Sequence, residues 1–432
     1  MELKKYELGE ILDVTRGASL SGEFYATEGE YIRLTCGNFD YQNNCFKENK
    51  SKDNLYYTGD FRSEFLMEKG DIITPLTEQA IGLLGSTAII PESSKYIQSQ
   101  DVAKIICKED LLDKDFAFYL ISSTLVKQQL SAAAQQTKIR HTSPDKIKDC
   151  TVWIPELEEQ KRISKLLRSL DRKIELNRAI NQNLEAMAKQ LYDYWFVQFD
   201  FPNEDGKPYK SSGGAMVWNE KLKRRIPEGW NVMSINEICT SCRGVSYGKD
   251  DLLSDSNGVL VLRGNNIENN RIVYDSNVAF VPNDFVSEEQ HIKEGDIIMT
   301  MSSGSKAHVG KCAMFHKDSE HTFGAFLSKF TPKKELRYMT FLFLTSEYFK
   351  SLITAFCNGT GINNLTNQTF DDVLLVLPDK NKTRMFESKV NNLFTMIGNN
   401  EENMRKLTKQ RDELLPLLMN GQVSVNSDLS HD

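Results

Sequence analysis

The sequence predicts an α+β protein made of two similar globular α/β halves, each followed by a long helix, with the two helices pairing as an antiparallel coiled coil. Two observations predict this fold class. An amphipathic heptad segment occurs twice, each time just after a proline, at a constant offset of 223 positions. The same order of short β-like runs precedes each copy. The chain is therefore an internal repeat.

Two segments with apolar positions alternately four and three residues apart are typical of helices that pair along an apolar seam. They predict a central helix over residues 156–198 and a distal helix over residues 379–425. Each spans about 40 residues, or about 60 Å. The seam positions are Ile163, Leu167, Leu170, Ile174, Asn177, Leu184 and Leu191 in the central helix, and Phe386, Val390, Leu393, Ile397, Asn400, Leu407 and Leu414 in the distal helix.

The direction of pairing follows from the repeat. If a two-fold relation places the globular halves at opposite ends, the helices must run antiparallel. Asn177 and Asn400 occupy the same register in the two copies, near the middle of each seam. A polar residue at a seam position fixes register at some cost in stability. We therefore expect these two asparagines to meet.

The globular halves are assigned to residues 1–155 and 215–378, with a connector at 199–214 that is rich in Pro, Gly, Ser and charge, and a tail at 426–432. Both halves contain three β-like runs followed by one helical stretch. In the first half these are 31–34, 70–74, 87–90 and 116–134, and in the second half they are 258–263, 295–299, 311–315 and 338–355. Smaller motifs also align, such as Thr35–Phe39 with Leu262–Asn266.

The composition is that of an ordinary globular protein. Of 432 residues, 40% are hydrophobic and 26% charged, which suits two or three domains with their own cores. No run approaches a membrane span or a signal-peptide core, and the eight cysteines have no framework spacing, so we expect reduced thiols and a cytoplasmic location. The net charge of −7 argues against a general polyanion-coating protein but permits local nucleic-acid contacts.

The motifs of catalysis are incomplete. Gly244–Gly248 matches the G-x-S-x-G pattern around Ser246, but its flanks predict a loop and not the strand-to-helix turn that a nucleophile elbow needs. Ser303–Lys306 matches S-x-x-K without its companion motifs. No Walker A motif is present, and the six histidines show no metal-ligand spacing. These observations predict a binding protein with no metal or cofactor of its own.

Basic runs and glycine-punctuated loops supply the candidate DNA contacts. Lysines and arginines can pair with phosphates, whereas Arg, Lys, Asn and Gln on loops can bind base edges. A solvated basic face or a turn cap is the simpler explanation for any single member, and the recurrence in both halves is what favours DNA. The candidates are Arg16, Gln79, Lys138, Arg140, Arg243, Arg263, Lys306, Lys333, Lys334, Asn363 and Asn364.

An ordered set of motifs carries a family resemblance. The motifs are Gly70–Ile73 with its repeat Gly295–Ile298, Trp153–Gln160, Leu191–Phe196, Lys223–Trp230 and Glu413–Val423. Together they resemble the specificity (S) subunits of Type I restriction–modification systems, over nearly the whole chain from Leu8 to Val425. The second copy departs from the pattern because Asp379–Lys382 replaces the Leu-Glu-Glu-Gln tetrapeptide at the start of the first helix.

This resemblance implies two target recognition domains that each recognise one half of a split double-stranded DNA site. The paired helices would set the distance between the half-sites and bind two methyltransferase (M) subunits, with restriction (R) subunits as possible further partners. S-adenosylmethionine, ATP and Mg²⁺ would belong to those subunits, and this chain would be non-catalytic. No membrane partner is expected.

Two other functions fit parts of the sequence. The helices alone fit a coiled-coil scaffold that pairs two proteins without touching DNA. Ser246 would support a serine hydrolase. The target bases and the spacer length depend on loop geometry that no local pattern encodes.

Overall fold

The computed structural model describes residues 2–41, 43–49, 53–78, 82–133, 140–254, 257–274, 278–360 and 364–425. The chain divides into two compact units. The first contains Met1–Leu176 and Met404–Asp432, and the second contains Asn177–Asn403. Each unit therefore holds one globular half together with part of each long helix.

Short strands dominate both halves, as the β-like runs predict. Those of the first half are Lys4–Glu7, Leu12–Arg16, Tyr25–Ala26, Tyr31–Arg33, Phe39–Asp40, Cys45–Phe46, Tyr56–Tyr57, Ile72–Pro75, Thr77–Glu78, Ala88–Ile89, Tyr96–Ile97, Val102–Cys107, Arg140–His141 and Thr151–Ile154. Those of the second half are Met216–Asn219, Arg224–Pro227, Asn231–Ser234, Cys239–Arg243, Val259–Leu262, Ile267–Glu268, Arg271–Ile272, Phe280–Val281, Ile297–Thr300, Cys312–Met314, Thr322–Phe323, Leu327–Pro332 and Leu374–Leu377.

One four-stranded antiparallel sheet recurs in both halves with the same strand order. In the first half the order is Ala88–Ile89, Ile72–Pro75, Val102–Cys107 and Leu12–Arg16. In the second half it is Cys312–Met314, Ile297–Thr300, Leu327–Pro332 and Cys239–Arg243. The orders match strand for strand, so the sequence repeat is also a repeat of topology.

A second antiparallel strand pair joins the start and the end of each half. Lys4–Glu7 pairs with Thr151–Ile154, and Asn231–Ser234 pairs with Leu374–Leu377. A proline follows the later strand in both halves and ends the ladder because it has no N–H to donate. This pair therefore fixes where each long helix leaves its globular half.

Each half contains short helices and is followed by one long helix. The short helices are Leu8–Ile11, Lys114–Ile121, Thr124–Ala133 and Pro144–Lys148 in the first half, and Ile235–Ile238, Arg337–Leu344 and Glu347–Thr360 in the second. The central helix spans Leu157–Tyr192 and is followed by a π-helical turn at Asp193–Val197, and the distal helix spans Lys380–Met419.

The helical stretch expected in each half is in fact two helices. In both halves a serine lies just before the second helix and caps it. Its hydroxyl accepts a hydrogen bond from an N–H group of that helix's first turn. Ser123 accepts from the Val126 N–H at 3.4 Å, and Ser346 accepts from the Phe349 N–H at 3.2 Å.

The start of each long helix is tied down by polar side chains. Gln160 is 1% exposed, donates to the carbonyls of Leu111 (3.0 Å) and Pro155 (2.9 Å), and accepts from the Asp113 N–H at 2.9 Å. The distal helix lacks this glutamine, and its first N–H groups donate to the carboxylate of Asp379 instead. The two equivalent helices are thus capped in two different ways.

The repeated Gly-Asp-Ile-Ile motif connects a turn to the sheet. Gly70 and Gly295 have φ of +89° and +90°, a conformation that favours glycine. The aspartate that follows, Asp71, accepts from the Glu68 N–H at 2.9 Å and pairs with Lys104 of the neighbouring strand at 2.6 Å. The second half repeats both contacts. The motif is therefore part of the scaffold.

A buried asparagine corrects the expected alignment of the halves. The side-chain oxygen of Asn38 accepts from the Thr35 N–H at 2.9 Å. In the second half it is Asn266 that accepts from the Arg263 N–H at 2.8 Å. The expected alignment paired Asn38 with Asn265 and is therefore one residue out of register.

Within the first unit the two long helices run antiparallel. Asp171 of the central helix forms an ion pair with Arg411 of the distal helix at 3.0 Å. Ile163 and Leu167 share a buried hydrophobic cluster with Leu418. Lower residue numbers on one helix thus meet higher numbers on the other.

Within the second unit the direction is the same. The amide of Asn400 donates to the Asn181 Oδ1 at 2.8 Å, and Asn181 donates to the carbonyl of Ile397 at 3.2 Å. Further along, Trp195 packs on Phe386 with ring centroids 5.7 Å apart. The contacts confirm the predicted antiparallel pairing in each unit.

The prediction that Asn177 meets Asn400 is wrong by one helical turn. In an antiparallel pair, residue numbers rise along one helix while they fall along the other. Two residues at the same place in the repeat can therefore face each other only at the midpoint of the pair. Away from the midpoint, each residue faces a different position of the repeat. Asn181 is fully buried, and its two hydrogen bonds satisfy an amide that would otherwise cost stability. The polar seam contact expected of Asn177 is therefore made by Asn181.

All the predicted seam residues are buried or half-buried. Ile163, Leu167, Leu170, Ile174, Leu184, Phe386, Val390 and Ile397 are buried. Asn177, Leu191, Leu393, Asn400, Leu407 and Leu414 are half-buried.

An aromatic cluster in the second unit brings together two of the ordered motifs. Phe196, from the motif that ends the central helix, lies 4.7 Å from Phe386 and 5.9 Å from Trp230 in ring centroids. Trp195 is 1% exposed. These aromatic residues form the core where the chain enters the second half, which explains their motifs by packing alone.

Candidate nucleic-acid interface

The four-stranded sheet of each half has one end at which several predicted contacts gather. In the first half Arg16 lies opposite Ala103, and Pro75 lies opposite Val102. The second half places Arg243 opposite Ser328, and Thr300 opposite Leu327. We call this end of the sheet, with the loops that leave it, the loop edge of each half.

Arg16 and Arg243 occupy the same place on the two loop edges. Both are exposed and end the equivalent outer strand. The Arg16 Nε donates to the carbonyl of Gln100 at 2.8 Å. The glycine that follows each arginine touches a neighbouring backbone so closely that an added Cβ of Gly17 or Gly244 would lie 2.2 Å from a carbonyl oxygen. A fixed backbone therefore presents each arginine.

A polar strand contact forms the next part of each loop edge. In the first half the strand Thr77–Glu78 pairs with Arg140–His141. In the second half Ser302 and Asn364 form the equivalent β-bridge. Arg140 and Asn364, both predicted contacts, therefore lie at the loop edge.

A buried glutamate holds the loop of the first half. Glu78 is 5% exposed, and its Oε1 accepts from the N–H groups of Gly82 (2.6 Å) and Leu83 (3.1 Å). Its Oε2 lies 3.7 Å from the Arg140 guanidinium, which also donates to the Ser131 hydroxyl at 3.0 Å. Glu78 therefore positions both the loop and the arginine.

The remaining candidates divide by location. Lys306 is exposed in a short helical turn, Lys306–His308, of the loop that follows Thr300. Arg263 is half-buried, and its Nε donates to the Tyr247 hydroxyl at 3.1 Å. Gln79, Lys138 and Asn363 lie outside the described residues.

Lys333 and Lys334 lie at the other end of the sheet. They follow Pro332, which pairs with Cys239, the first residue of the strand that ends at Arg243. Lys333 donates to the carbonyl of Glu237 at 2.8 Å, and Lys108 of the first half donates to the carbonyl of Glu10 at 2.7 Å. This repeated contact caps the C-terminus of a short helix, where a cation is favourable.

The sequence does not identify four loop-edge residues. One is Glu78, because nothing local marks a carboxylate that will be buried. His141 and Ser302 become neighbours of other loop residues only through strand pairing. Phe326, which is 71% exposed, lies in the apolar segment Phe323–Leu327 and carries no signal of exposure.

The described residues support neither a nucleophile elbow at Ser246 nor a metal site. Ser246 is exposed between a β-bridge at Val245 and a short turn that begins at Lys249, so it does not lie on a strand-to-helix elbow. Within the described parts of the chain no group of His, Cys, Asp and Glu could hold a metal ion. Among the helices searched over the same residues, none is long and apolar enough to cross a membrane.

The buried cysteines are thiols without the features of a reactive site. Cys107, Cys150, Cys239, Cys242, Cys312 and Cys357 are free. Burial raises the pKa of Cys150 to about 11 and that of Cys239 to about 12, which suppresses the thiolate that nucleophilic chemistry requires.

Comparison with known proteins agrees with this architecture. A family model described as "Type I restriction modification DNA specificity domain" matches residues 1–186 and 227–395. The specificity subunit of the Type I restriction enzyme EcoKI from Escherichia coli K12 is 31% identical over 200 residues, 45% of this chain and 41% of that subunit. The match thus spans about two fifths of that relative's length. The MjaIX specificity subunit of Methanocaldococcus jannaschii is 24% identical over 341 residues, 76% of this chain and 73% of that subunit.

A solved structure shows the same fold. The crystal structure of a Type I restriction–modification S subunit from M. genitalium has a TM-score of 0.56 at 16% identity and covers 97% of this chain and 96% of its own. The family model covers both halves of the chain, each of which has the same sheet and the same loop edge. The chain therefore belongs to the family of the Type I restriction modification DNA specificity domain.

Proposed function

We propose that this chain is the sequence-specific DNA-binding subunit of a Type I restriction–modification complex and recognises a bipartite site, one half-site with each globular half. The observation that carries the proposal is the pair of loop edges, in which one backbone presents different side chains. A protein that needed only two equal docking sites would not require that difference.

The side chains at the loop edges suit DNA. An arginine can donate two hydrogen bonds to guanine and an asparagine can do the same to adenine, and each such pair contributes about 1–3 kcal/mol of discrimination. Arg16, Arg140 and Arg243 supply the first chemistry, and Asn364 supplies the second. The exposed Lys306 can pair with a phosphate, which positions the protein without recognising sequence.

The long helices are proposed to bind two methyltransferase subunits and, where present, restriction subunits. The chemistry of adenine methylation and of DNA cleavage, with S-adenosylmethionine, ATP and Mg²⁺, would reside in those partners. This chain would contribute recognition and no catalysis.

Single-molecule sequencing of DNA from cells that carry the chain with its methyltransferase subunit tests the proposal. The expected result is N6-methyladenine in a motif of two short specific sequences separated by a fixed nonspecific spacer. In vitro, the complex should retard a duplex with that motif but not a scrambled one. A protein scaffold that never contacts DNA would show neither result.

We further propose that the helices set the spacer length. Inserting one heptad after Asn177, with a matching heptad after Asn400 to keep the pairing, should lengthen the helices by about 10 Å, or about three base pairs. The methylated motif should gain a longer spacer and keep both half-sites. A variant that keeps the spacer but alters a half-site would contradict this proposal.

A further inference from the structure

Phe326 is a projecting apolar side chain on the loop edge of the second half. It is 71% exposed, the highest value among the large apolar side chains of the described residues. Its backbone is nevertheless fixed, because its carbonyl accepts from the N–H groups of Met301 at 2.9 Å and Ser302 at 3.3 Å. The neighbouring Leu327 is fully buried. The ring therefore extends from a rigid position.

The first half shows that the fold does not need this ring. The position equivalent to Phe326 is Asp101, whose carbonyl accepts from the Leu76 N–H at 2.8 Å. The Asp101 carboxylate accepts from the Thr77 hydroxyl at 3.3 Å and so is held against the protein. One backbone thus carries a tethered carboxylate in one half and a projecting ring in the other.

The residues around the ring include two of the proposed DNA contacts. The carbonyl of Leu327 accepts from the Gly244 N–H at 3.2 Å, which places the exposed Arg243 next to this strand. Ser302, whose N–H also donates to the Phe326 carbonyl, forms a β-bridge with Asn364. Unlike these three polar neighbours, the phenylalanine ring can form no hydrogen bond with a base or a phosphate. It can contact DNA only through apolar packing.

We propose that Phe326 is a specificity-determining residue that packs against the 5-methyl group of a thymine in the major groove of the half-site bound by the second half. The inference rests on the proposed function. Among the four bases only thymine presents a methyl group in the major groove, and phenylalanine is one of the side chains that contact it. A ring at this place would favour thymine over cytosine without forming any hydrogen bond.

The test removes the methyl group alone. In duplexes with the methylated motif, each thymine of the second half-site is replaced in turn by deoxyuridine, and binding of the complex of this chain with its methyltransferase subunits is measured by fluorescence anisotropy. One replacement should weaken wild-type binding about threefold to fivefold, as expected for losing one buried methyl contact. Phe326→Ala should bind the thymine duplex more weakly and show no further loss with deoxyuridine.

Two variants serve as controls. Phe326→Leu keeps an apolar side chain and should retain part of the preference for thymine. Phe285→Ala removes another exposed ring of the same half, 38% exposed in the turn Asn283–Phe285, and should behave as wild type. Since Phe326 is exposed, Phe326→Ala should keep the wild-type melting temperature.

Several results would overturn the inference and leave the proposed function standing. These are a second half-site without thymine, a wild-type complex indifferent to every deoxyuridine, and a Phe326→Ala complex as sensitive as wild type. An equal loss of affinity for all sequences, with reduced DNA bending, would show a wedge between bases and not a thymine contact. Failure of the wild-type complex to bind any specific duplex would instead refute the proposed function, and the inference with it.

Discussion

The two halves share one backbone but differ in the side chains of the loop edge. The strand contact there is Thr77 with His141 in the first half and Ser302 with Asn364 in the second. The contacts that the two edges share are backbone hydrogen bonds and a close-packed glycine, and neither depends on those side chains. The comparison teaches that the side chains of the loop edge can change without any change in the scaffold that carries them.

Exchange of a whole half should give the largest effect. Replacing residues 215–378 by the same block of a relative with another motif should change one half-site and preserve the other half-site and the spacer. Exchange of residues 1–155 is the reciprocal control, and sequencing of methylated adenines measures both. If exchange of the second block leaves both half-sites unchanged, the halves do not divide recognition as proposed.

The helix contacts offer a second comparison, because the first unit uses a largely buried ion pair and the second uses paired amides. Arg411 is 8% exposed, and its partner Asp171 also accepts from the Tyr119 hydroxyl at 2.5 Å. Arg411→Met should lower the free energy of unfolding by about 3 kcal/mol, since it leaves a largely buried carboxylate without its counter-ion. Denaturant titration of the complex measures the loss.

The matched change in the second unit is Asn181→Ala. It removes two hydrogen bonds and leaves the Asn400 amide without its partner, for an expected loss of about 1–2 kcal/mol. If Asn181→Ala cost more than Arg411→Met, the ion pair would not be the stronger of the two contacts.

A partly buried carboxylate gives the second unit a pH dependence. Burial raises the pKa of Glu401 to about 7, with Arg271 opposing the rise and Glu185 adding to it. The folded protein thus keeps a proton that the unfolded chain releases above the ordinary glutamate pKa of 4.5, so this group's contribution to stability falls as the pH rises from about 4.5 to about 7.

Glu401→Gln should remove that dependence. Relative to wild type, the variant should gain roughly 2–3 kcal/mol near pH 8 and nothing near pH 4, as measured by denaturant unfolding at each pH. Glu413→Gln, on an exposed position of the distal helix, is the control and should show no such trend. A constant difference between Glu401→Gln and wild type across this range would contradict the assignment.

Single loop-edge contacts should have the most localised effects, each confined to one base position. Arg16→Ala and Arg243→Ala should each relax one base position, in opposite half-sites, by about 1–3 kcal/mol of discrimination. Lys334→Ala lies at the other end of the sheet and should leave the preferred bases unchanged. Binding to a set of single-base variants measures each profile. A uniform loss across all variants for either arginine would show a phosphate contact and not a base contact.

The family motifs are parts of the scaffold, and for this reason they can be recognised in the sequence. Gly70 and its repeat Gly295 need a positive φ, and Trp195 fills the core beside Phe386. Gln160 satisfies three backbone groups in the first copy only, because Asp379 caps the distal helix. The repeat, the long helices and the antiparallel direction could be predicted because the motifs and the heptad spacing occur twice.

The loop edge was only partly predictable. Arg16, Arg140, Arg243, Lys306 and Asn364 were identified by residue type and loop context, and the structure places them at that edge. Lys333 has the same residue type but caps a helix at the other end of the sheet. Side-chain chemistry alone does not tell which end of a strand a residue occupies.

The sequence by itself determined the internal repeat, the heptad seams and the absence of complete catalytic motifs, because periodicity and residue type are local properties of the chain. Tertiary structure decided that Asn181 and not Asn177 meets Asn400, that Glu78 is buried beneath the loop edge, and that Phe326 projects from it. These facts depend on which strands and helices become neighbours, and that is set by packing between residues far apart in the sequence.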